Sequence, residues 1–316
     1  MYEVFRAGGS CWPSHTYGVR HDLVSAPNPE PELTSVIIPV RNEEDHIGVQ
    51  LAALAAQTYR GQWELVIVDN GCTDRSMDVA RSWGDRLPSL RIVSASAKRG
   101  LNYARNVGAA AAHGDLLAFC DGDDAAMPRW LESLAAAAAS ADLIGGSFGT
   151  ETLNDEATSE TSDDSLVGLP IAFGFRTYVP GGNCAVWASV ARELRWNEDF
   201  RFGSSDVEFS WRAQFAGYAL GFAPDAVMRR RYPAEAGAAA RQYFLYGISV
   251  PLLYRHFGVA GMPGSELSEA LRTWRWLICS SPRALRSSQF RGRWLRVAGL
   301  RSGRVVGSIR RRVLYL

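Results

Sequence analysis

The chain has 316 residues, long enough for one large core or for a core domain with an appendage. With 47 % hydrophobic and 21 % charged residues it is composed like a folded globular protein, which excludes a largely disordered chain. The formal net charge of +1 names no partner but conceals an asymmetry: no acidic residue follows Glu269, whereas arginines continue to the end.

Residues 1–33 close on "SAPNPEPEL", a proline-rich polar segment expected to be an extension rather than core. "TSVIIPV", Thr34 to Val40, predicts a first strand, and "EEDHIGVQLAALAAQ" a helix with Ile47, Leu51 and Leu54 on one face and acids in its first turn. "WELVIVDNG" predicts a second strand closing on an Asn70-Gly71 turn, followed by the helix "DRSMDVARSW". "LRIVSA" and "LNYARNVGAAAAH" form the third pair, "DLLAFCDGDD" and "PRWLESLAAAAAS" the fourth, with Pro128 suited to a first helical position. Four strand-helix units with continuous apolar strands imply an α/β fold, a doubly wound, mostly parallel sheet with helices on both faces, spanning residues 34–235. Ligands in such sheets bind at the carboxyl ends of the strands, here "PVRNE", "DNGCTD", "SAKRGLN" and "CDGDD", all polar or charged.

Beyond Leu143 the pattern changes. Residues 149–168 are acidic, Ser/Thr-rich and aperiodic, and are expected to form a mobile surface loop. "PGGNCAVWA" reads as a turn entering a strand, and "SSDVEFSWRAQF" as a helix in which Ser205 and Glu208 have capping-box spacing, placing Asp206 at its N-terminus. Residues 236–316 are helical in propensity and Arg-rich. Five scattered cysteines without CxxC spacing suggest neither a zinc site nor a disulfide framework, and so a reducing, cytoplasmic compartment. The start of the chain lacks a signal-peptide pattern, and its longest apolar stretch, "YFLYGISVPLLY", is about 12 residues, too short to span a bilayer.

The three aspartates of "DGDD" demand an explanation. Adjacent carboxylates at a partly desolvated strand end repel one another unless a cation compensates, and a hard divalent ion held by one or two carboxylates plus phosphate oxygens would do so. The alternative is a solvated turn in which Asp-Gly ends the strand and Asp124 starts the next helix.

Taken in order, "VIIPVRNEEDHI", "ELVIVDNGCTDRS", "KRGLNYARNVGAAAAHGDLLAFCDGDD" and "GGNCAVWASVARELRWNEDFRFGSSDVEFSWRAQFAGY" resemble glycosyltransferase family 2 enzymes of the GT-A fold, over about two thirds of the chain. The resemblance implies a metal-dependent, inverting transfer of a sugar from a nucleoside-diphosphate sugar to a saccharide or lipid-linked acceptor. It assigns the nucleotide base to Pro39, Arg41, Glu43 and Asp69, and the ribose and diphosphate to Lys98, Gly100 and Arg105. The D-x-D pattern falls on Asp121, facing ribose or metal, and Asp123, ligating Mn²⁺ or Mg²⁺. Gly182 and Asn183 line the donor sugar, and Asp206 is the catalytic base.

Each assignment has a plainer reading beside it: Asp69 as the start of a turn, Lys98 as a solvated charge, Asp206 as part of a helix cap. Two departures stand out. Ser205 replaces the glutamate common before the base, and Arg229 to Arg231 occupy the place where many relatives have a metal-binding histidine, so arginine could take over part of the metal's role. These departures keep open a non-catalytic GT-A-like nucleotide-binding or interaction protein. The basic tail, with Trp274, Trp276, Phe290, Trp294 and Leu295 among its arginines, suggests either a peripheral contact with an anionic membrane or a helical pair packed on the catalytic domain. No nucleic-acid-binding module is present in the sequence.

Overall fold

A computed structural model describes residues 28–149, 153, 168–232 and 236–316. The expected N-terminal extension and acidic loop therefore lie largely outside the described residues. The end of the extension is pinned: the Asn28 side chain donates to the carbonyls of Ala138 and Ala141.

The four predicted strand-helix units are present. They are β1 (Thr34–Val40), α1 (Ile47–Ala55), β2 (Trp63–Asp69), α2 (Ser76–Arg81), β3 (Arg91–Ser94), α3 (Leu101–Ala111), β4 (Leu116–Cys120) and α4 (Trp130–Ala137), with a two-residue strand β5 (Ala125–Ala126) before α4. β6 (Leu143–Phe148) follows, then a small hairpin of β7 (Ile171–Ala172) and β8 (Arg176–Thr177). β9 (Asn183–Trp187), α5 (Ala188–Leu194), α6 (Ser205–Phe215) and β10 (Leu220–Arg229) complete the sheet domain, and α7 (Ala236–Phe257), α8 (Leu267–Arg286) and α9 (Ser288–Arg311) end the chain.

The main sheet runs β3-β2-β1-β4-β9-β6-β10-β5. β1 to β4 are parallel, and the chain reverses its direction of winding between β1 and β4, which opens the crevice at their carboxyl ends. β9 is antiparallel to both β4 and β6, so it begins where its neighbours finish. Its first residue, Asn183, sits opposite Cys120, which brings the Gly181-Gly182 turn beside Asp121. β5 pairs antiparallel with Met228 and Arg229, so the chain leaving the acidic turn lies against the chain entering the arginine run.

Asn183 locks this arrangement. Fully buried, it donates to the carbonyls of Ser147 and Ala226 and accepts from the Trp130 indole at 2.8 Å, tying β9 to β6, β10 and α4. The expectation that Asn183 contacts the donor sugar is thereby corrected, because its polar atoms are consumed inside the sheet. Two helix starts also differ from expectation. α4 begins at Trp130, two residues after Pro128. α6 has no side-chain cap: Ser204 (φ 58°) turns the chain in, and Glu208 is buried against Arg212 and Asn197 instead of reaching back to Ser205. Asp206 nonetheless stands in the first turn of α6.

A second cluster joins the C-terminal helices to the sheet domain through Trp211 of α6, packed with Phe257 of α7 and with Phe175. α7 and α9 touch backbone to backbone: a Cβ on Gly303 would lie 2.1 Å from the Phe244 carbonyl oxygen, so only glycine permits the approach. Among the described residues, no helix is long and apolar enough to cross a membrane.

Asn183→Ala would strand the Trp130 N–H and two buried carbonyls, and should lower stability by about 3 kcal/mol, read as a reduced midpoint in urea with an unchanged slope.

Candidate active site

The acidic turn hangs from the carboxyl end of β4 and is held by its backbone. Gln50, fully buried on α1, donates from Nε2 to the Asp121 carbonyl and accepts at Oε1 from the Ala126 N–H, spanning the turn from one end to the other. From the far side the Arg231 guanidinium donates to the Asp123 carbonyl and the Arg231 N–H to Asp124 Oδ1 at 3.0 Å. Gripping the turn mainly by its main chain leaves Asp121 and Asp123 to carry charge. Burial pushes Asp123 up to about 6, and the carboxylates of Asp121 and Glu43 add to the shift. Asp124, at 3 % exposure, is also raised, by burial and then by Asp121 and Asp123. Glu43 is raised too, by burial against the pull of His46.

Arg105 is the cation built into this region. Its guanidinium donates to the Gly181 carbonyl at 2.9 Å, lies 4.5 Å from the centre of the Trp196 ring and comes within 3.6 Å of Asp121 Oδ1. The backbone of Gly182 passes so close that a Cβ there would meet Asp121 Oδ2 at 2.3 Å. Gly182 thus acts through its lack of a side chain. On the other side of the same turn, the Gly181 N–H donates to Asp206 Oδ2 over a long 3.5 Å. Tyr246 of α7 lays its ring against the Gly203 backbone just ahead of α6, and its phenol is raised, by desolvation first and then by the charge of Asp206.

The expected phosphate role of Arg105 is corrected by this geometry. At 3 % exposure the guanidinium is sealed between Trp196 and Gly181, and it supports Asp121 from behind. Lys98 is ion-paired with Glu198, whose carboxyl burial would raise but which the hydrogen bonds from Lys98 and Asn106 and the Lys98 charge hold below its ordinary value. Gly100 (φ 155°) occupies a conformation favouring glycine, and its N–H is taken by Asn70 Oδ1, whose amide in turn donates to the carbonyls of Ala95 and Lys98. Asn102 and Asn106 of α3 likewise hold the carbonyls of residues 196, 197 and 200. "KRGLNYARN" therefore builds the wall leading to α6 and presents no free cation from Lys98 or Arg105.

On the nucleotide side, Asp69 Oδ1 accepts from the N–H groups of Gly71 and Cys72, so Asp69 does shape the Asn-Gly turn. Pro39, half-buried, lies opposite Val68 in the parallel ladder; Arg41 just beyond it is exposed, and Glu43 stands near Asp121 and Asp123. Residue spacing carries no sign of Gln50, which lies far along the chain from the turn it holds.

No group of three or more His, Cys, Asp or Glu side chains arranged to hold a metal occurs among the described residues. Asp121 and Asp123 still fit a hard cation on chemical grounds. Both are oxygen donors, and the upward shift of Asp123, owed to burial first and then to the charges of Asp121 and Glu43, marks a carboxylate whose ionised form lacks a compensating cation close by. Such an ion would take its other ligands from a diphosphate and water.

Residues 35–192 match the Glycosyl transferase family 2 profile and residues 121–295 that of Glycosyl transferase family group 2. The chain is 31 % identical over 198 residues to glycosyltransferase AglE of Haloferax volcanii, covering 61 % of this chain and 65 % of AglE, just under two thirds of the relative's length. It is 36 % identical over 103 residues to a dodecaprenyl-phosphate galacturonate synthase of Rhizobium johnstonii, covering 32 % of this chain and 30 % of that one. Among solved structures, the mannosyltransferase PcManGT of Pyrobaculum calidifontis, in complex with GDP-Man and Mn²⁺, superposes with a TM-score of 0.59 at 20 % identity over 91 % of this chain and 90 % of its own. That likeness concerns the fold, whereas the profile matches extend across the acidic turn and the strand beginning at Asn183. On these grounds the chain belongs to glycosyltransferase family 2, built on the GT-A fold.

Proposed function

We propose that this protein transfers a sugar, with inversion, from a nucleoside-diphosphate sugar to a hydroxyl on a saccharide or lipid-linked acceptor. The observation that carries the reading is the Gly181-Gly182 turn, which has the Asp121 carboxylate on one side and Asp206 on the other. Diphosphate and acceptor thus have separate acidic groups available at one strand end. The names of the relatives support the two substrate classes: PcManGT was solved with a nucleotide sugar and Mn²⁺, and the Rhizobium relative is named for a dodecaprenyl phosphate.

Asp206, whose Oδ1 accepts from the Val207 N–H at 2.9 Å and whose Oδ2 has only the long 3.5 Å bond from Gly181, takes the proton of the acceptor hydroxyl. The hydroxyl oxygen then bonds to the anomeric carbon as the bond to the diphosphate oxygen breaks. Asp121 and Asp123 hold the divalent metal, Mn²⁺ or Mg²⁺, which supplies neutralisation of the leaving diphosphate when bound. Arg105 fixes Asp121 against the Gly182 backbone. Pro39, Arg41, Glu43 and Asp69 form the edge toward the base.

Asp206→Asn and Asp123→Asn should each keep a melting temperature near the parent's and lose roughly 10²-fold or more in nucleoside-diphosphate release with Mn²⁺. Parental turnover in either variant would remove that residue from the mechanism. Nucleotide binding without release in the parent would favour a non-catalytic binding protein.

A pH effect follows from the same carboxylates. Asp123 and Asp124 have folded values above the unfolded ones, so their contribution is complete below about pH 4 and is lost as pH rises through about 6 and beyond. The metal-free protein should therefore melt lower at about pH 8 than at about pH 5, by an amount of order 1–3 kcal/mol, and Asp124→Asn should flatten the profile. Mn²⁺ with a nucleoside diphosphate should raise the melting temperature more at the higher pH, because a metal prefers the ionised ligands.

A further inference from the structure

The aromatic residues of the basic tail are not its exposed apolar surface. Trp276 and Phe290 pack on each other with ring centres 5.8 Å apart, and the Trp294 indole donates to the Leu277 carbonyl, so these rings form the seam between α8 and α9. Ala270, Leu277 and Ala284, spaced by seven, are the buried edge of α8. A different set faces outward: Leu267, Leu271, Ile278 and Leu285 are 61 %, 61 %, 71 % and 80 % exposed. At about 100° per residue these four fall within about 40° of arc, a continuous aliphatic stripe running the length of a 20-residue helix.

A stripe of this kind on a helix calls for an occupant. The charge beside it selects one. Arg275 and Arg286 project immediately next to the stripe and Arg272 a little farther round, all exposed; Arg275 and Arg286 have no acidic partner among the described residues. The last acid of the chain, Glu269, lies on another face of α8 and is paired with Arg301 of α9. An aliphatic line bordered on its solvent side by arginines, with no acidic residue after it in the sequence, is complementary to a layer that is apolar below and anionic above.

We infer that α8 lies flat on an anionic bilayer, its Leu267-Leu271-Ile278-Leu285 stripe at the acyl boundary and Arg275 and Arg286 among the lipid phosphates. The contact is interfacial, as no described helix is apolar enough to cross. It is independent of sugar transfer, since none of these residues belongs to the catalytic crevice.

The test is sedimentation of the full chain with vesicles of phosphatidylcholine alone or containing about one third phosphatidylglycerol, at low salt and at about 0.5 M salt. Binding is expected to the anionic vesicles only, weakened by salt. The double substitution Leu271→Glu/Ile278→Glu should reduce it at least roughly tenfold, and Arg275→Glu/Arg286→Glu should remove the anionic preference. All four positions are exposed, so circular dichroism melts should match the parent. Failure of the parent to bind anionic vesicles, or unchanged binding by the Leu271/Ile278 variant, would overturn the proposal. So would a dimer on sizing columns that this variant dissociates without any vesicle binding, which would assign the stripe to a second copy of the chain.

Discussion

One buried guanidinium organises the candidate site. Arg105 sits where α3, the end of β4, the turn into β9 and the Trp196 segment meet, and it touches each of them: Asp121, Gly181 and the face of Trp196. A cation desolvated to this degree is tolerated only with partners on several sides. Those partners are the pieces that have to be held together. The close approach of Asp121 to the Gly182 backbone, and of Gly181 to Asp206, depends on the same junction. Trp196 is in turn stacked on Phe209 of α6 at 4.4 Å, so the helix bearing Asp206 is braced by the ring that covers Arg105.

Around this junction the acidic turn is a case of charge concentrated by geometry. Gln50 and Arg231 grip mainly its carbonyls and N–H groups, and Arg105 approaches Asp121 from the buried side. Burial first, and the neighbouring carboxylates after it, make Asp123 and Asp124 retain protons above the ordinary carboxylate range. The structure spends its polar side chains on placing the carboxylates rather than on neutralising them. Asn70, Asn102, Asn106 and Asn183 do the same for the surrounding loops and strands, each bonded to main-chain groups.

The C-terminal helices extend this framework instead of standing apart from it. Phe257 and Tyr315 share a cluster with Trp211, so the region beyond the sheet domain has a core in common with α6, and α7 lays the Tyr246 ring against Gly203 ahead of that helix. The backbone contact between α7 and α9 at Gly247 and Gly303 fixes that pairing, and α8, held along one edge by α9, is left with an uncovered face.

Local pattern alone was enough for the strand-helix succession, the parallel sheet and the position of the acidic turn after β4, because continuous apolar runs and helical spacing are properties of neighbouring residues. It was also enough for the motif order that marks the family. The roles of individual polar residues were not legible in this way. Arg105 and Asn183 have the residue types of ligands, and only the antiparallel insertion of β9 between β4 and β6 decides that one supports Asp121 from behind while the other bonds three elements of the fold. Gln50 reaches the acidic turn from 71 residues away, and the Tyr246 ring of α7 lies against Gly203 ahead of α6. Such pairings carry no periodicity in the chain. Sequence therefore determined which elements form and where charge is concentrated; tertiary packing decided which of those charges face the crevice, since burial and partners at long sequence separation set the fate of each polar group.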